Sequence, residues 1–353
     1  MAISISHPVS FAIFHYKSIF MLRTFLFIPA MLVAQLSFAQ NNDTTYAERL
    51  GYPRGAKVVI LHVDDVGMSW DSNEGAIQAM TKGVANSCSI MMPCSWVPGF
   101  VQYLKKHPHL DAGLHLTLTS EWDQYRWPPL SGAKNVPGLV DSEGVMWASV
   151  ENVVKHASAD EVEMEIRAQV DRALSMGFTP THLDSHMGTL FASAPFIQRY
   201  LKVGMEYIIP VMFPAGHATL IKEQAKMPEM QIQMIRTMGK QLWNAGLPVL
   251  DDLHNTSYGW ELSKGIKPTD ENLRKIKTKN YIDGLKSLKP GVTMIIMHCT
   301  APSKIFEKIS SSGPTRKGDL LAMMDPAFKK ALADEKIILT TWRELKERRD
   351  KIK

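Results

Sequence analysis

The sequence predicts an α/β fold built from parallel βα units in one domain. Short apolar runs at residues 58–63, 112–118, 181–183 and 292–297 read as strands buried on both faces. Segments with helical spacing lie between them, which is the alternation of parallel βα units. Each run also carries or leads into residues suited to metal binding or proton transfer: Asp64-Asp65, His115, His182-Leu-Asp184-Ser-His186 and His298. In barrels and open parallel sheets alike, strand ends converge on the rim where reacting groups gather.

In chain order, residues 1–39 read as an N-terminal extension with a signal peptide. From Met21 the chain has a basic start at Arg23, an apolar stretch, and the small-residue exit Ser37-Phe38-Ala39 before polar Gln40. That layout predicts translation from Met21, cleavage near Ala39 and an exported product, periplasmic or secreted. The apolar stretch is too short for a stable membrane span. Residues 40–56 are polar and rich in turn formers, a leader to the domain at 57–353.

Within that domain the first strand comes at once. Ala76, Ile77 and Met80 predict a helix over 70–83, stopped at Gly83. A strand at 87–92, a short helix at 98–106 and a strand at 111–118 follow. Residues 120–146 lack periodicity, as functional loops do; their Trp122, Tyr125 and Trp127 suit either the apolar faces of sugar rings or the packing of a loop over the barrel. Ser158 and Glu161 form a capping box for a helix over 159–176, with Gly177 as its stop. Then come a strand at 181–183, a helix at 196–203, a strand at 207–212 and helical residues 220–243 interrupted at Pro228. A helix over 269–288 ends before Pro290-Gly291. The strand 292–297, the helix 326–332, the strand 337–340 and a charged helix from Trp342 complete the chain.

Bulk composition narrows the function. Of 353 residues, 45% are hydrophobic and 21% charged, which is globular. The formal charge is +5, and removing Lys17 and Arg23 with the extension leaves 5 − 2 = +3. That is too weak for a nucleic-acid partner, and no basic stripe is interleaved with aromatics. Cys88, Cys94 and Cys299 make neither a disulfide framework nor a close-spaced zinc pair.

A hydrolytic metal site needs three protein ligands, an open position for water and a separate base. Asp65, His115 and His186 can supply the ligands, each at the end of a different strand. Asp64 is then free to act as general base, and His298 can face the site as general acid. His182 competes with His186 for one ligand position. If 181–183 is strand, His186 lies just past its end, leaving His182 and Asp184 to orient the site through hydrogen bonds. His62, inside the first strand, reads as packing. Two imidazoles and a carboxylate also form the iron site of non-haem oxygenases, and His62-Val-Asp64 and His182-Leu-Asp184 match its His-x-Asp element. Those enzymes are mostly antiparallel, unlike the alternation here.

Taken together, Asp64-Asp65-Val66-Gly67, Gly113-Leu-His115-Leu-Thr-Leu-Thr119, Pro180-Thr-His182-Leu-Asp184-Ser-His186 and Met297-His298 resemble the motifs of the YdjC-like carbohydrate deacetylases. The best-known members of that family remove acetyl groups from chitooligosaccharides. The resemblance spans roughly residues 57–346. It implies a distorted seven-stranded (β/α) barrel with one divalent metal ion; two imidazoles and a carboxylate suit zinc, and magnesium, manganese or cobalt would suit an oxygen-rich open site. By the same resemblance, Asp65, His115 and His186 hold the metal, Asp64 is the base and His298 the acid, acting on an acetylated mono- or oligosaccharide. Val66 replaces the family's usual phenylalanine, and Cys299 stands where proline is usual. Tyr207-Ile-Ile-Pro210 lacks an arginine that many relatives carry. These departures leave room for a saccharide-binding protein that keeps the fold without turnover.

Overall fold

Seven parallel strands form one curled sheet: β1 (Lys57–Val66), β2 (Ser87–Ile90), β3 (Ala112–Leu116), β4 (Leu183–Ser185), β5 (Asp252–His254), β6 (Gly291–Met297) and β7 (Ile338–Leu339). The order is β4-β3-β2-β1-β6-β5, with β7 paired to β1. One edge of β1 is shared: its start pairs with β7 at Val58 and Val59, and its later residues pair with β2 from His62. The computed structural model describes residues 44–352. The expected signal peptide, its cleavage near Ala39 and the start at Met21 lie outside the described residues. Among the described residues, no helix is long and apolar enough to cross a membrane.

The helices are α1 (Tyr46–Arg49), α2 (Trp70–Thr81), α3 (Val97–Lys106), α4 (Val150–His156), α5 (Ala159–Ser175), α6 (Ala194–Tyr207) and α7 (Thr219–Gln224). After them come α8 (Glu229–Asn244), α9 (Asp270–Ser287), α10 (Phe306–Ile309), α11 (Gly313–Met323), α12 (Pro326–Asp334) and α13 (Trp342–Asp350). The sequence signals for α5 hold in detail: Ser158 and Glu161 satisfy each other's backbone donors as a capping box.

Side chains alternate along a strand, and the packing follows that period. Val58 and Ile60 of β1 pack with Val292, Met294, Ile296 and Trp342. Val59, Leu61 and Val63 join Ile295, Met297 and the helices in the larger core cluster. Even-numbered residues of β1 and β6 therefore face the inside of the curl. Val58 and Ile60 make its apolar floor, and His62 and Asp64 come next toward the rim.

Three expectations change. The strand expected at 207–212 does not form: α6 runs through Tyr207, Ile208 turns left-handed at φ 57°, and only a bridge between Val211 and Leu183 remains. Pro210 and Pro214 explain this, since neither has an N–H for a continuous ladder. The segment still links the sheet's two edges, because Pro214 bridges to Leu250, just before β5. The strand expected at 181–183 is shifted to Leu183–Ser185, so Asp184 lies within it. Finally, the segment read as a leader contributes buried Tyr46, Ala47, Leu50 and Tyr52. Thr45 and Glu48 cap α1, and the amides of Tyr46 and Ala47 donate to buried Asp251, at 2.9 and 3.0 Å.

Candidate metal and catalytic site

Two adjacent aspartates on a regular strand would point to opposite faces. Asp64 faces inward by the alternation, so Asp65 should point outward. It does not, because β1 carries a bulge: between Val63 and Val66 it holds one residue more than β2, and Asp65 takes φ 63°. A left-handed conformation is uncommon for a side-chain-bearing residue, though aspartate is among those that tolerate it. Gly67, at φ 86°, completes the turn, where a Cβ would fall 2.6 Å from a Val97 methyl.

The other groups arrive by plain alternation. His115 lies on β3, and Asp184 on β4 pairs beside it. His298 extends the inward-facing series 292, 294, 296 of β6 by one step. His186 follows β4 at once, and left-handed Met187 and Gly188 turn the chain after it. Gly113, two residues before His115, gives room to His182, whose ring would lie 2.5 Å from a Cβ there.

Asp65, His115 and His186 come together as buried groups whose candidate ligand atoms all lie within 4.8 Å of one another. Asp65 Oδ1 is 3.2 Å from His115 Nε2 and 3.1 Å from His186 Nδ1. Tetrahedral coordination with bonds of about 2.0 Å has edges of about 3.3 Å. Octahedral bonds of about 2.1 Å give about 3.0 Å. The three residues therefore fit a divalent cation. Asp64 stays outside this trio, with Oδ2 3.8 Å from His115 Nε2 and 3.9 Å from His298 Nε2.

Below the trio lies a polar layer. Asp184 Oδ1 is 2.6 Å from His115 Nδ1, and His182 approaches Asp184 to 3.7 Å while stacking on Trp342. His62, expected to be mere packing, is part of this layer. Its Nε2 is 2.9 Å from Asp184 Oδ2 and 3.2 Å from Asp64 Oδ1, because its place two residues before Asp64 puts it on the same inward face.

The charges explain one another. Burial opposes the carboxylate of Asp65, yet Arg316, His115 and His186 hold it well below the usual range. Burial likewise opposes charge on His186, but Glu121 and Asp65 lift it to about 9. His62 reaches about 9 against burial through Asp184 and Asp64. A cation held by Asp65, His115 and His186 would require these imidazoles neutral, so its binding would be coupled to proton release.

A family model described as YdjC-like protein matches residues 58–334. The chain belongs to the YdjC-like family. It is 31% identical over 300 residues to a protein of Thermus thermophilus named carbohydrate deacetylase, covering 85% of this chain and 97% of that one. A second protein of that name, from Thermoanaerobacter pseudethanolicus, is 26% identical over 291 residues, covering 82% and 100%. The fold is that of a crystal structure from Enterococcus faecalis V583, of a protein named for cellobiose-phosphate cleavage. The TM-score is 0.65 at 20% identity, over 82% of this chain and 99% of that one.

This YdjC-like chain also uses residues that sequence reasoning missed. Glu121 Oε1 lies 3.0 Å from His186 Nε2, so each imidazole of the trio has a carboxylate on its far nitrogen: Asp184 behind His115, Glu121 behind His186. Such partners fix ring orientation and strengthen a histidine as a ligand. Glu121→Gln is accordingly expected to weaken divalent-cation binding by about 10–100-fold, as read by titration calorimetry. An unchanged affinity would remove Glu121 from the site. Its only sequence signal was position, two residues beyond the end of the His115 motif.

Arg316 and Asp319 are the other two. Arg316 Nη1 lies 2.7 Å from Asp65 Oδ2, and Asp319 Oδ2 accepts the backbone N–H of His298 at 3.0 Å. Buried Lys277 pairs with Asp319 at 2.9 Å, in space left by Gly318. Residues 207–210 carry no arginine, and the guanidinium beside Asp65 comes from Arg316 on α11.

Trp127, expected to face a sugar, is 3% exposed, and its indole N–H donates to Thr119 O. Trp122 and Tyr125 pack edge-on against it, each with ring centroids 5.5 Å away. Packing takes up most of that apolar surface.

Proposed function

We propose that this protein is a metal-dependent deacetylase that hydrolyses an N-acetyl group on a sugar or oligosaccharide and releases acetate. The observation that carries the reading is the juxtaposition of three ligand-type groups with a separate carboxylate, Asp64, and a separate imidazole, His298, less than 4 Å apart. Family membership and the names of the relatives support the substrate class.

Asp65, His115 and His186 would hold the cation, magnesium or zinc. Bound there, it would polarise water and the acetyl carbonyl, and would stabilise developing negative charge. Asp64 takes a proton from the attacking water as the new C–O bond forms. When the C–N bond breaks, the amine needs a proton, because an unprotonated amine is a very poor leaving group. Burial lowers the pKa of His298, so its ring rests neutral and must first acquire that proton. Asp64 is the nearby group that has just gained one. Asp319, through the His298 amide, positions the acid end of this relay, and Arg316, through Asp65, positions the ligand beside its base.

The oxygenase reading loses ground because every strand pairing in the sheet is parallel. The test is acetate release from an N-acetylated oligosaccharide, lost on chelation and restored by zinc or magnesium. Metal-loaded protein that binds such a saccharide yet releases no acetate would favour binding without turnover and overturn the proposal.

A further inference from the structure

The aromatic residues singled out in the sequence are mostly packed, but two others are not. Trp70 is 53% exposed and Trp96 44%, and their rings meet with centroids 5.4 Å apart and planes inclined at 60°. We infer that Trp70 and Trp96 form an accessory subsite that stacks against a second sugar ring, next to the ring carrying the acetyl group. The inference rests on the deacetylase reading for its ligand and adds the residues that would read chain length.

Both residues are tethered through the backbone to the turn that presents Asp65. The Trp96 amide donates to Gly67 O at 3.2 Å, and Trp70 opens α2 directly after that turn. Buried Asn73 ties the two sides together: its Oδ1 accepts from the Gly67 amide at 2.8 Å, and its Nδ2 donates to Trp96 O at 3.1 Å. On one flank the Ser95 amide meets the Tyr125 hydroxyl at 3.3 Å. Tyr125, Trp127 and Trp122 then continue the aromatic run to Glu121 beside His186. On the other flank, Asp71 accepts from the amides of Ala301 and Ser303, in the segment that follows His298. The pair is therefore tethered on one side to the turn that presents Asp65 and on the other to the segment that follows His298.

The occupant follows from size and chemistry. Two half-exposed indoles offer roughly 200 Å², far less than the about 800 Å² per partner of a stable protein interface. They match one or two pyranose rings, whose C–H faces are apolar while their edges carry hydroxyls. A rigid aromatic surface also keeps the entropy cost of binding low.

The test compares kcat/KM for a β-linked N-acetylhexosamine tetramer with that for the monomer. Wild-type protein should prefer the tetramer. Trp70→Ala and Trp96→Ala should each lower the tetramer-to-monomer ratio by about tenfold, the scale of one aromatic contact. Trp70→Phe and Trp96→Phe, which keep a stacking face, should recover much of it. A ratio that neither alanine variant moves, or no preference in the wild type, overturns the inference. If no acetate is released from either saccharide, the deacetylase reading fails, and calorimetric titration of the tetramer decides the subsite separately. Weaker binding to both alanine variants than to wild type supports it, and equal binding overturns it.

Discussion

Asp64→Asn is expected to lower kcat for acetate release by about 10²–10⁴-fold, the usual worth of a positioned general base, while bound divalent metal stays at the wild-type level. The separation of the two readouts follows from the bulge in β1. Asp65 Oδ1 is the oxygen near both ligand imidazoles, whereas Asp64 reaches His115 Nε2 only at 3.8 Å. Asparagine is isosteric and keeps the packing against His62, but its amide cannot accept the water proton. Metal content by mass spectrometry and acetate by enzymatic assay measure the two sides. Loss of metal along with activity would make Asp64 a ligand and leave the base unassigned.

Arg316→Met should destabilise the metal-free protein by about 3–5 kcal/mol, the cost of removing one partner from a buried ion pair. Asp65 and Arg316 are both almost fully buried, and the guanidinium also lies over the Tyr258 ring, 5.3 Å from its centroid. Methionine fills similar volume, so the loss reports charge rather than a cavity. Saturating divalent cation should return much of the lost stability, because a ligand that binds only the folded state stabilises it in proportion to the logarithm of its excess over Kd. Urea unfolding with and without the cation reads both quantities. An equal deficit under the two conditions would mean that Arg316 and the cation do not share Asp65.

Much of this was visible in the letters because the site grows from strand ends. β1, β3 and β6 are apolar runs that must be buried, and their last residues are fixed in space once alternation is known. His115 and His298 needed nothing more. The inward turn of Asp65 was not visible, since a bulge depends on pairing with β2 rather than on β1 alone. Arg316 and Asp319 were missed for a different reason. α11 turns two charged residues toward the centre, which breaks the apolar periodicity by which helices are recognised. The packed segment at 45–52 was hidden by its polar letters, although Thr45 and Glu48 spell a capping box and only tertiary partners such as Asp251 reveal its burial. The strand at 207–212 was expected from apolar content, and two prolines outweighed it.

On the proposed mechanism, the left-handed Asp65 ties the chemistry of this protein to a flaw in its own ladder. A substitution that ironed out the kink and let β1 zip evenly along β2 would make a better strand and a worse enzyme, because the carboxylate would swing from the mouth into the wall. Selection for thermal robustness and selection for turnover therefore pull against each other at this one peptide unit.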